Sequence, residues 1–70
     1  MDEYKPSEKM KAIAAGARAR YMEYDTQHLA DLREALVEAA IAPQVEDATF
    51  WLFREGVRNI DDIVMGRAVV

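Results

Sequence analysis

The stretch Phe50-Trp51-Leu52-Phe53-Arg54-Glu55-Gly56-Val57-Arg58-Asn59-Ile60-Asp61-Asp62-Ile63 decides how many helices this chain makes. Apolar side chains recur at helical spacing on both sides of Gly56, with none of the strict alternation of a half-buried strand. Gly56 is the punctuation mark. A glycine just past a helical run is a common left-handed cap, and Asn59 suits the start of a new helix because its side chain can accept from an orphaned amide. The reading is a third helix from about residue 44 to 55, a break at Gly56, and a short fourth helix. Asp61 and Asp62 favour the positive end of that fourth helix, and Gly66 ends it. Arg67-Ala68-Val69-Val70 is expected to be a loose tail, or else to dock into a groove.

The aromatic residues at the head of this stretch are its most informative chemistry. Val45, Ala48, Thr49 and Leu52 define an inner face, with Trp51 and Phe53 toward its two edges. Phe50 falls on the opposite side, among Glu46, Asp47 and Arg54. One helix face cannot hide all three rings. Aromatics are enriched at interface hot spots because they bury a large area with few rotatable bonds. Trp51 and Phe53 have an adequate explanation as core; Phe50 is better explained by contact with a partner or a second copy.

Working toward the N-terminus, Pro43 stops a second helix of about residues 26 to 41, since the residue before a proline avoids helical geometry. Leu29, Leu32, Leu36, Ala39 and Ala40 form its seam, with Val37 and Ile41 to the side. Gln27, Asp31, Glu34 and Glu38 form the stripe opposite, three of them acidic. A first helix, about residues 7 to 24, starts at Pro6 or Ser7 and carries Met10, Ile13, Ala14, Ala17, Tyr21 and Tyr24 at spacings of three and four. Lys11 and Arg18 lie on one flank of that seam, Lys9 and Arg20 on the other, and both flanks are expected to pair with acidic residues of the second helix. The seam loses phase at Asp25-Thr26, which argues for a break there beside two capping residues, with one continuous kinked helix as the alternative. The expected fold is all-α: one domain over residues 1–70, three main helices plus a short C-terminal fourth, with residues 1–6 and 67–70 as flexible ends.

Composition limits function more than it identifies it. The chain has 70 residues and no cysteine, which excludes a disulfide scaffold and a cysteine-based zinc module. A core of this size rarely supplies more than ~3–5 kcal/mol, so association with another chain is the default. Residues 1–20 carry five positive and three negative charges, and residues 21–70 carry four and ten, giving +2, −6 and a total of −4. Nucleic-acid binding needs a concentrated positive field, which that balance opposes. Reading Gly56 as the turn of a helix–turn–helix would aim Asp61 and Asp62 at phosphates. His28 with Asp25 and Asp31 has spacing that could converge on a metal, but there is a single histidine and Asp25 is explained as a cap, so no metal is expected. There is no triad, phosphate-cradling glycine loop or HExxH motif. No catalytic residue and no cofactor are therefore expected. Met1-Asp2-Glu3-Tyr4-Lys5 has no basic-then-apolar pattern of a secretory signal, and a cytoplasmic location is expected.

The expectation is a small acidic, non-enzymatic protein that occupies a partner's surface, as a regulator or inhibitor of the kind phages and mobile elements carry. Phe50, Trp51, Phe53, Tyr21 and Tyr24 would supply apolar contact, and Asp31, Glu34 and Glu38 orientation and rate. The partner is another protein, with a homodimer as one form of this. The alternatives are a nucleic-acid-binding regulator using Lys9, Lys11, Arg18 and Arg20, or an accessory subunit of a larger enzyme.

Overall fold

The computed structural model describes residues 4–68. Among them are three helices: α1 (Glu8–Tyr21), α2 (Thr26–Ala40) and α3 (Asp47–Ala68). The all-helical class matches expectation; the division at Gly56 does not. α3 runs unbroken through Gly56, so there is no separate fourth helix.

The reason lies in what Gly56 touches. Its backbone is not left-handed, and it is buried where the helices converge. A Cβ placed on it would sit 3.0 Å from Leu36 Cδ1 and 3.4 Å from the Tyr21 hydroxyl. The glycine is there for close approach, not to end a helix. The residues read as a new helix start are likewise used elsewhere. Asn59 Oδ1 accepts from Arg18 Nη1 at 3.0 Å. Asp61 and Asp62 pair with Arg33 at 2.8 Å and Arg18 at 3.6 Å. The inner phase set by Leu52 continues through Gly56 to Ile60 and Ile63 without a slip.

The other boundaries follow their caps. Ser7 accepts from the Met10 amide at 3.2 Å to open α1. Asp25 accepts from the His28 amide at 2.7 Å to open α2. The four residues between α1 and α2 form a tight turn, which absorbs the phase slip seen in the sequence. Arg67 holds this turn from α3: its Nη2 donates to the carbonyls of Tyr24 at 2.7 Å and Met22 at 3.1 Å, and its Nη1 to Thr26 Oγ1 at 3.4 Å. The expected loose tail is therefore ordered helix as far as Ala68, with Arg67 docked; Val69 and Val70 lie outside the described residues, as do residues 1–3 of the expected flexible N-terminus.

These contacts also set direction. Arg18 meets Asn59 and Asp62 while Tyr4 lies by Trp51, so α1 runs parallel to α3. Arg33 meets Asp61 and Leu36 lies over Gly56, so α2 runs antiparallel to it. The core is Leu29, Ile60 and Ile63, enclosed by Tyr21, Tyr24, Leu32, Leu36 and Val64. α1 and α2 each lie along α3 and barely meet each other. The arrangement is thus open along one side.

Candidate functional site

Beside a shallow depression at Met22, Gly66 and Arg67, two surfaces stand out among the described residues once the core is accounted for. The first is the outer edge between α2 and α3, which the Arg33–Asp61 pair marks. Stepping along α2 from Arg33 by one turn at a time gives Val37 and then Ile41. Stepping back along α3 from Asp61 gives Val57, Arg54 and Phe50. Because the helices are antiparallel, Ile41 and Phe50 arrive at the same end. Ile41 is 75% exposed and Phe50 42% exposed. Val37 and Val57 are half-buried between them and the ion pair. Glu34 and Glu38 border the same edge, lining a shallow depression with Ala30, Arg33 and Val37.

The structure separates the other sequence candidates from this edge. Trp51 is half-buried, its ring 6.4 Å from that of Tyr4. Phe53 is half-buried and faces inward, lining the gap between α1 and α2. Tyr21 and Tyr24 pack against the core. Burial, and secondarily the nearby Tyr24, push the Tyr21 phenol above its ordinary value. Asp31 lies further round α2, accepting from Gln27 Nε2 at 3.1 Å. Ile41 is the residue that sequence reasoning left out. Its signal was present: it stood to the side of the main α2 seam, where burial had no obvious source.

The second surface is the open side. Between α1 and α2, above α3, lies a cavity of about 120 Å³. Ile13, Ala17, Leu36, Leu52, Phe53 and Gly56 form most of its lining. Ile13, on the α1 rim, is 49% exposed.

The basic flanks of α1 do not pair with α2, as the sequence reading expected. Arg18 turns to α3, where Asp62 and Asn59 receive it, and Lys11 pairs within α1 with Glu8 at 3.3 Å. Lys9 and Arg20 make no ion pair among the described residues. His28 stacks on Tyr24, ring centroids 4.1 Å apart and nearly coplanar, and Asp25 uses its carboxylate as a cap. Among the described residues no three His, Cys, Asp or Glu side chains gather as a metal site would require. No described helix is long and apolar enough to cross a membrane. Comparison of the chain with family models, with curated proteins and with solved structures finds no match.

Proposed function

We propose that this chain is a protein-interaction module, a small regulator or inhibitor that covers a partner's surface with the α2–α3 edge. The observation that carries the reading is that Phe50 and Ile41, both exposed, lie toward the same end of that edge. Burying a fully exposed Phe or Ile side chain is worth about 1.5–3 kcal/mol, and covering the exposed remainder of these two is worth the corresponding fraction, larger at Ile41 than at Phe50. That gain is open to a partner and not to the isolated chain. Glu34 and Glu38 lie beside the apolar residues, so the complementary surface is apolar at its centre and basic at its rim. Charges in that position act mainly on the rate and orientation of encounter.

A nucleic-acid role draws less support. Arg18 and Lys11 are already engaged by Asp62, Asn59 and Glu8, and a surface rimmed by Glu34 and Glu38 repels phosphates. Catalysis has no assembled group to work with on either surface described above. The test is capture from an extract of the source cells, with wild type and with Phe50→Asp/Ile41→Asp as baits. Proteins held by the first and lost by the second support the reading, provided both baits keep their helical circular dichroism. An identical retained set with both baits overturns it.

A further inference from the structure

The open side of the molecule fits a second copy of this chain. The residues pointing away from α3 on each helix follow from the helical period. On α1 they are Lys9, Ile13, Gly16 and Arg20, at steps of four, three and four. On α2 they are Asp31, Ala35 and Glu38. Arg33 reaches Asp61 on one side of α2; Asp31 and Ala35 lie away from that side, and Glu38 stands at the border between it and the open side. The open side is therefore two parallel stripes. One is basic at both ends and the other acidic at both ends. Between them lies the apolar cavity that Ile13, Ala17, Leu36 and Phe53 help to line.

We propose that two copies associate face to face across this side, around a twofold axis running along the cleft between α1 and α2. Charge decides between the two ways of stacking the faces. An axis across the helices would lay α1 on α1 and α2 on α2, setting Lys9 and Arg20 against their like. An axis along the cleft lays α1 of each copy on α2 of the other, with the two turn ends together. Arg20, one residue from the end of α1, then faces Asp31 of the partner subunit, near the same turn. Lys9, at the far end of α1, faces the partner subunit's Glu38, at the far end of α2. The contact repeats itself by symmetry and closes, as a twofold interface does. Gly16, whose surroundings are empty within 4 Å, and Ala35 lie between the charges and let the helices approach. The two cavities then face each other, and the exposed part of Ile13 is covered. This inference does not depend on Phe50 or Ile41, which stay on the outside of such a pair; Glu38 is shared by the borders of both surfaces.

Sedimentation velocity over a wide concentration range tests it. The wild type is expected to form a dimer at low salt that loosens as salt screens the four charge pairs. Lys9→Glu/Arg20→Glu places acid against acid, and Asp31→Lys/Glu38→Lys places base against base. Each double variant is expected to weaken self-association by about tenfold or more. An equimolar mixture of the two is expected to recover a dimer containing one copy of each. Phe50→Ala is expected to leave dimerisation unchanged, which separates this contact from the proposed partner edge. Gly16→Arg fills open space and so serves if a charge variant loses helicity; it is expected to be monomeric. A wild type that stays monomeric at millimolar concentration overturns the proposal. So does a dimer that both charge variants or Gly16→Arg retain, or a mixture of the two charge variants that fails to pair. A dimer lost with Phe50→Ala also overturns it.

Discussion

Leu36 Cδ1 occupies the space that a side chain at Gly56 would need, 3.0 Å from where its Cβ would stand. That one relationship keeps α2 close to α3 and explains why a glycine is tolerated in the middle of a 22-residue helix. Glycine inside a helix costs about 1 kcal/mol against alanine, and here the close approach of Leu36 offsets that cost.

Glycine substitutions should therefore separate by position. Gly16 has nothing within 4 Å, so Gly16→Ala is expected to stabilise by about 0.5–1 kcal/mol. Gly56→Ala gains the same helical preference but must displace the end of Leu36, and is expected to gain less. Gly56→Val overpacks the site and should cost about 1–3 kcal/mol. Urea denaturation of the three variants checks the order. A Gly56→Ala variant as stable as Gly16→Ala would mean that Leu36 does not crowd this position.

Core truncations should be severe for so small a fold. Leu29 is 0% exposed and Ile60 1%, so Leu29→Ala or Ile60→Ala is expected to cost about 2–5 kcal/mol. Against a total of roughly 3–5 kcal/mol, either leaves a largely unfolded chain. Leu36→Ala, beside an existing cavity, is expected at the low end of the same range. Thermal melts followed by circular dichroism read the ranking. Equal losses at Leu29 and Leu36 would contradict it.

Arg67 should matter through the turn it holds. Its guanidinium donates to the Met22 and Tyr24 carbonyls at the end of α1, where a cation also suits the negative end of the helix dipole. Arg67→Ala is expected to lower stability by about 1 kcal/mol, near the worth of an ordinary hydrogen bond after its exchange with water. Hydrogen exchange should speed up at the first amides of α2. Arg67→Lys should recover only part of this, because the single nitrogen of an ammonium cannot replace both the Nη2 bonds to the carbonyls and the separate Nη1 bond to Thr26 Oγ1. Unchanged exchange in Arg67→Ala would remove the clamp.

The Tyr21 phenol gives a pH signature. Burial raises its pKa above the unfolded value of about 10, so between the two values the folded state holds the proton and the unfolded state has lost it. Its contribution is fully present below about pH 10 and is lost as pH rises through the higher folded value. Tyr21→Phe should therefore flatten the fall in stability above about pH 10 relative to wild type. Parallel stability curves for the two proteins would contradict this.

Much of this fold was legible in the order of residues. Ser7 and Asp25 cap where expected because a short polar side chain before an apolar period has few other uses. Gly56 misled because glycine serves two opposite purposes, ending a helix or admitting a neighbour, and local sequence does not distinguish them. The distinguishing signal is phase: Leu52, Ile60 and Ile63 share one face across Gly56, which a true break would disturb. Long-range partners were beyond the sequence. Nothing local says that Asn59 would receive Arg18 instead of capping, or that Arg67 would reach back to Tyr24. At the candidate site, Phe50 was readable because its helical position opposes the apolar face. Its placement at the same end as Ile41 depends on the antiparallel register of α2 and α3, which Arg33–Asp61 reveals only in three dimensions.

The claim at the centre of this account is that the chain acts by presenting the Phe50–Ile41 edge to another protein. The most direct measurement is side-by-side capture from the source cells with wild type and Phe50→Asp/Ile41→Asp, both confirmed as helical. The account predicts a defined protein, held in fixed proportion by the wild type, that the double variant releases. Recovery of the same proteins in the same amounts by both would contradict it.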